Sequence, residues 1–295
     1  MSRSGPPVPA ASRLRAGARF PLAVPPAGPL YEGHFPGRPI LPGIGLLDLA
    51  LRALAAAGAS PAVREIAVLR LRRLIAPGED LDLEVKELGP GGRARLEVRR
   101  GAQIVAGGVV VLGGPSPGAL PARAATPRAP AHGAPARETR AGEAVAHEPR
   151  SAGGRPELDD LLAHRPPMRL ILGTEQEMDG GVVCAARVPE QSPFTDRGSA
   201  PAIVALEMAA QAAAVFEALH RFRGGRGAGV RIGYLVGARD VRFALARLPA
   251  GETFFASVRL SGSAPPLSTY AFEVAAGSGV VAAGNVSTWL TTTGA

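Results

Sequence analysis

The residues in this chain best suited to acid–base chemistry are one histidine and two acids. His34 stands in "GHFPGRPILPG" (33–43), where three prolines and three glycines surround it. Proline fixes φ and glycine permits unusual φ, so the stretch reads as a rigid, shaped loop ending at a helix start. Such a loop can hold a reactive side chain in place. The two acids are Asp48, in the apolar run "GIGLLDLALRALAAAG" (43–58), and Glu207, in "PAIVALEMAAQAAAVFEALHRF" (201–222). Both runs are apolar nearly all round, as buried helices are. A carboxylate buried without a partner is costly, so each acid needs an explanation.

The elements that must position these residues fall into two similar units. The first has a strand near 18–24, the Pro/Gly loop, the 43–58 helix, and strands at 63–75, 81–88, 93–100 and 103–112. The second has a short helix near 157–163, strands near 169–177 and 181–188, and the long 201–222 helix. Strands near 232–247, 252–262, 267–276 and 279–290 follow it. "RLRRLIAPGEDLDLEV" (70–85) and "VRFALARLPAGETFFASV" (241–258) share one pattern: basic-apolar strand, Pro, Gly, acid, strand. The chain is thus an internal repeat of α+β units, each a long helix wrapped by antiparallel strands. The expected division is a disordered N-terminus (1–12), unit one (13–113), a linker (114–155) and unit two (156–295). The linker is rich in Pro, Ala, Gly and Arg, with almost no large apolar residue to bury.

Composition narrows the function classes. The chain has 295 residues, 46% of them hydrophobic and only 4% aromatic, so its cores are aliphatic. Cys184 is the only cysteine, which excludes an intrachain disulfide and suits a reducing compartment. No signal-peptide core and no membrane-length apolar run is found, so a cytoplasmic location is expected. The net charge of +8 rests on arginine, since Lys86 is the sole lysine. No aromatic-and-basic stacking pattern accompanies it, so nucleic acid is not the expected partner; an acidic protein suits the charge as well.

At the level of motifs, the sequence resembles the hot-dog-fold 3-hydroxyacyl-[acyl carrier protein] dehydratases of fatty-acid and aryl-polyene synthesis. Their motif is His-Phe-x-Gly-x-Pro-x-Met-Pro-Gly with an acid fourteen residues after the histidine. His34, Phe35, Gly37, Pro39, Pro42, Gly43 and Asp48 match it, and Leu41 replaces the methionine. In unit two, "LLAHRPPMRLI" (161–171), "PAIVALEMAAQ" (201–211) and "GYLVGARDVRF" (233–243) look like other parts of the family, the last like a small dehydratase-like partner protein of aryl-polyene clusters. Glu207 takes the acid position and Gln211 supports it four residues on, but Pro193 falls where the histidine belongs.

The resemblance implies a tandem, or double, hot-dog fold resembling a fusion of the two aryl-polyene dehydratase subunits. In that family the histidine comes from one unit and the acid from the other. His34 would then face Glu207 in one composite site, with the Gly43 N–H receiving the substrate carbonyl. Asp48, opposite Pro193, would be a vestigial acid. Glu207 would act as an acid if its apolar surroundings raised its pKa. No cofactor is implied, the substrate being carried on the phosphopantetheine of an acyl carrier protein. Arg38, Arg70, Arg72, Arg73, Arg239 and Arg242 are candidates to meet that acidic carrier. The two units would pair as an intrachain pseudo-dimer, with higher homo-oligomers open.

Four other histidines receive bland roles: His164 structural, His132 and His147 solvated in the linker, and His220 at a helix C-terminus. "GGRGAG" (224–229) lacks the strand and the Lys-Ser/Thr of a phosphate loop. Two rival functions remain at this level: a hot-dog acyl thioesterase and a non-catalytic acyl-binding scaffold. The scaffold gains from Arg52, which stands where the dehydratase helix carries glutamine.

Overall fold

The computed structural model describes residues 14–60, 62–114, 156–224, 231–277 and 279–291. The expected N-terminal segment, nearly all of the linker with His132 and His147, and most of "GGRGAG" lie outside these residues.

Unit one runs β1 (Arg19–Ala23), α1 (Gly43–Ala56), β2 (Val63–Leu71), β3 (Asp80–Leu88), β4 (Arg93–Arg100) and β5 (Gln103–Leu112). Unit two runs α2 (Leu158–Leu161), β6 (Ile171–Met178), β7 (Gly181–Arg187), β8 (Ser199–Pro201), α3 (Val204–Arg223), β9 (Gly233–Phe243), β10 (Arg247–Pro249), β11 (Thr253–Ala264), β12 (Leu267–Ala276) and β13 (Gly279–Leu290).

Among the described residues, eleven strands form one antiparallel sheet in the order β1-β3-β4-β5-β2-β9-β13-β12-β11-β7-β6. The units join at β2 and β9, where Ile66 pairs with Val241 and Leu69 with Ala238. That seam hides one edge strand from each unit, edges that would otherwise expose unpaired backbone groups. Each half of the sheet wraps its own helix. Ile44, Leu47, Leu51 and Leu54 of α1 and Leu206, Met208, Ala212 and Val215 of α3 are buried, and both helices share one continuous apolar core. At about 25 cal/mol per Å² of apolar surface, this burial is the main stabilising contribution.

Several boundaries differ from the sequence reading: strand 63–75 ends at Leu71, and the largest rearrangement lies in unit two. Strand 232–247 ends at Phe243, and Arg247–Pro249 forms a separate short strand. That strand pairs with Ser199–Pro201, which delays the start of α3 to Val204. Backbone groups of 199–201 thus bond across to β10 instead of continuing into the helix.

Candidate active site

The Pro/Gly loop that carries His34 is fixed from both ends. His34 N donates to Tyr31 O (3.1 Å), and Ile40 N donates to His34 O (3.3 Å). A tight turn, closed by reciprocal Phe35–Arg38 backbone bonds, places Gly37, and Pro39 follows it. Pro42 then immediately precedes α1, its carbonyl accepting from Leu46 N. Gly33 is required here. Its φ is +77°, and a Cβ on it would lie 1.9 Å from the Arg165 carbonyl oxygen. Arg165 N in turn donates to Gly33 O at 3.0 Å. The unit-one loop therefore docks backbone to backbone on the 161–171 segment of unit two, which brings His34 beside His164.

His34, His164 and Glu207 are all buried. The two imidazole centroids are 5.2 Å apart, and the Phe35 ring stacks on His34 at 4.2 Å and meets His164 edge-on at 4.7 Å. The Nδ1–H of His34 donates to the Ile40 carbonyl (3.2 Å), since a carbonyl can only accept. Nε2 is left as the basic nitrogen. Burial, the largest influence, holds the His34 pKa down to about 4; the Glu207 charge opposes this and His164 adds to it. His34 is therefore neutral at pH 7 and competent as a base.

Glu207 sits at the centre of a hydrogen-bond network. Gln211 Oε1 accepts from Leu170 N (2.8 Å), which orients the amide so that its Nε2 donates to Met168 O (2.8 Å) and Glu207 Oε1 (2.9 Å). His164 Nε2 lies 3.1 Å from the same Oε1. The sequence reading asked for a Glu207 pKa raised by apolar surroundings, and the structure corrects it. Burial does push upward, but the hydrogen bond from His164, the His164 and His34 charges and Gln211 together outweigh it. The carboxyl is held at about 2. Glu207 is an anchored carboxylate, not a neutral acid.

These three side chains line one cavity with Gly43, Leu46, Leu71, Tyr234 and Arg73. The cavity lies between α1 and α3, so both units build it. Gly43 is the first residue of α1, whose N-terminus has no side-chain cap; early amides of a helix lack intrahelical acceptors. A Cβ at Gly43 would approach Leu71 Cδ1 to 2.4 Å, so only glycine leaves the Leu71 side chain undisturbed. The ligating atoms of His34, His164 and Glu207 lie within 4.8 Å of one another, a two-histidine, one-carboxylate set of the kind that suits a divalent cation. His34 Nδ1 and Glu207 Oε1 are already committed to protein partners.

Asp48 is brought to a different hollow, lined by Leu51, Arg52, Pro201 and Arg247; Pro193, its expected neighbour, is not among the lining residues. Asp48 instead binds Arg52 Nε at 2.7 Å. His164 is what sequence reasoning missed. Read as structural, it stands against both halves of the expected pair. The available signal was its place in "LLAHRPPMRLI", a segment already matched to the family. Of the arginines, Arg73 lines the cavity, whereas Arg70 and Arg239 flank the seam on the sheet surface.

Comparison with known proteins agrees with a chain built from two such units. Residues 12–108 match the family model described as ApeI dehydratase, and residues 156–293 match that described as ApeP dehydratase. The 3-hydroxyacyl-[acyl-carrier-protein] dehydratase FabZ of Symbiobacterium thermophilum is 38% identical over 66 residues, 20% of this chain and 46% of that protein. FabZ of Clostridium acetobutylicum is 31% identical over 74 residues, 21% of this chain and 52% of that protein. The chain spans about half the length of these curated relatives. The dehydratase domain of RzxB from Pseudomonas fluorescens superposes with a TM-score of 0.59 at 13% identity, over 92% of this chain and 94% of that one, which establishes the shared fold. Fold and paired matches define a double hot-dog protein of the dehydratase class. The chain belongs to the hot-dog dehydratases, as an ApeI-like unit fused to an ApeP-like unit.

Proposed function

We propose that the chain dehydrates 3-hydroxyacyl thioesters carried on acyl carrier protein, giving trans-2-enoyl thioesters, in aryl-polyene or fatty-acid-type synthesis. The observation that carries this reading is the meeting of neutral His34 with the anchored Glu207–His164 pair in one buried cavity.

The chemistry follows from the positions. His34 Nε2 takes the C2 proton, a weakly acidic one made more so when the thioester oxygen is stabilised. The α1 N-terminus at Gly43 offers an N–H and the positive end of the helix dipole to the negative charge that develops on that oxygen. The C3 hydroxyl departs with a proton from the Glu207–His164 pair, and water is released. Oxidation states balance, so the elimination calls for no redox partner. Burial of the pair excludes bulk solvent and strengthens each of these interactions.

A thioesterase would use its acid to activate water. The neutral His34 imidazole, carried by the motif loop into the same cavity, supports dehydration over hydrolysis. The exposed Arg73 at the cavity suits the phosphate of a phosphopantetheine arm, and the net charge of +8 suits an acidic carrier.

The test is turnover of 3-hydroxyacyl thioesters on acyl carrier protein, over a panel of alkyl and aryl chains, followed by the appearance of the conjugated enoyl thioester. Enoyl formation from at least one chain is expected. Hydrolysis to free acid, or binding without turnover, would overturn the reading.

A further inference from the structure

The network around Glu207 leaves a question about the leaving group. Hydroxide is a poor leaving group and needs a proton. Glu207 accepts hydrogen bonds from Gln211 and His164 and is ionised, so it has no proton of its own to give. His34 is neutral, with its Nδ1–H tied to Ile40, and its other nitrogen is needed to take the C2 proton.

His164 has what is missing. Its ring lines the cavity. Its Nε2 is committed to Glu207, which leaves Nδ1 as the nitrogen available to a substrate. That Nδ1 is buried and has no hydrogen-bond partner among the described residues. A buried, unpaired imidazole nitrogen is costly, and a substrate hydroxyl would relieve that cost. The carboxylate behind the ring fixes its orientation, as a buried carboxylate does behind other catalytic histidines.

We propose that His164 is a catalytic residue and the acid of the reaction: its Nδ1–H protonates the departing C3 hydroxyl while Glu207 stays ionised and holds the ring. The balance closes. The C2–H bond breaks, its proton goes to His34 Nε2, and its electron pair forms the C2–C3 double bond. The C3–O bond breaks, its electron pair leaves with oxygen, and the His164 proton completes a water molecule. The site begins as neutral His34 with protonated His164 and ends as protonated His34 with neutral His164, so its net charge is unchanged. With centroids 5.2 Å apart, the two rings are near enough to be reset by one proton relayed through the released water.

This inference rests on the dehydratase reading, and the two are tested apart. Wild-type turnover of a 3-hydroxyacyl thioester tests the reading. The acid is tested by leaving group, comparing 3-hydroxyacyl with 3-fluoroacyl thioesters, because fluoride departs with far less need of a proton. His164→Gln keeps a donor toward Glu207 but has no transferable proton. It should cut dehydration by at least about 10²-fold, the usual scale for an acid–base group, and fluoride elimination by less than about 10-fold. His34→Ala should damage both reactions alike, since both need the base. If His164→Gln lowers both rates equally, or neither, His164 is not the acid. The proposal fails equally if the leaving-group-dependent loss appears instead in Tyr234→Phe, which removes from this cavity a buried hydroxyl with no hydrogen-bond partner among the described residues. His164→Asn is the second variant should the glutamine fail to fold.

Discussion

The two helices present the same kind of residue at the same place and surround it differently. Glu207 on α3 has Gln211 one turn on and a histidine from a distant segment, all inside a cavity that His34 enters from the other unit. Asp48 on α1 has Arg52 one turn on, bound at 2.7 Å, and faces Pro201 and Arg247. Each carboxylate has a nitrogen donor beside it, but the donors have different uses. An imidazole can pass a proton on; a guanidinium cannot, since it never loses its own. Repetition of a fold therefore reproduces the position of an acid and not its chemistry, which is supplied by whatever the rest of the chain brings to it.

The largest effect expected is on the base. His34→Ala should lower turnover by about 10²–10⁴-fold with little loss of fold, since its ring is the proton acceptor for both substrates. Steady-state kinetics beside a thermal melt checks this; turnover within a few-fold of wild type would break the comparison at its root.

Gln211→Ala comes next. It strands Leu170 N and Met168 O inside the protein and frees one side of Glu207. A stability loss of about 1–3 kcal/mol is expected, with a fall in turnover of about 10-fold. The matching change in the other helix, Arg52→Ala, removes an exposed partner but leaves the buried Asp48 carboxylate without it, so it should cost about 1 kcal/mol or more in stability and little activity. Equal losses of turnover in the two variants, with denaturant unfolding to confirm that both fold, would mean the helices are equivalent after all.

The pH dependence is the gentlest probe. A histidine held at about 4 in the folded protein is neutral wherever the pH exceeds that value, so the acidic limb of kcat/KM should fall near pH 4, not near 6.5. Stability carries the same sign. Between the folded value and the ordinary one the unfolded chain binds more protons, so stability is full above about pH 6.5 and declines as pH drops toward 4. His34→Ala should flatten that decline; an unchanged pH–stability curve would place the effect elsewhere.

What the sequence disclosed follows from how local each signal is. The His34 loop is legible because proline and glycine write backbone shape directly into the chain. Glu207 and Gln211 are legible because residues four apart share a helix face. His164 is not, because it meets His34 through the Gly33–Arg165 backbone contact, which joins segments separated by most of unit one and the whole linker. The ionised state of Glu207 was hidden for the same reason. Its apolar neighbours in sequence suggested a raised pKa, whereas the histidine donor that lowers it comes from another segment. The early end of the strand at Phe243 had a similar cause, the pairing of 247–249 with 199–201.

The central claim, one working site in which His34 of the first unit meets Glu207 of the second, is tested most directly by two isosteric amides measured side by side. Glu207→Gln removes the charge that holds His164, and Asp48→Asn removes the charge bound to Arg52. With a 3-hydroxyacyl thioester on acyl carrier protein, Glu207→Gln should lose at least about 10²-fold in turnover, and Asp48→Asn should stay within about 3-fold of wild type. Comparable losses from two folded variants, or a larger loss from Asp48→Asn, would contradict the account.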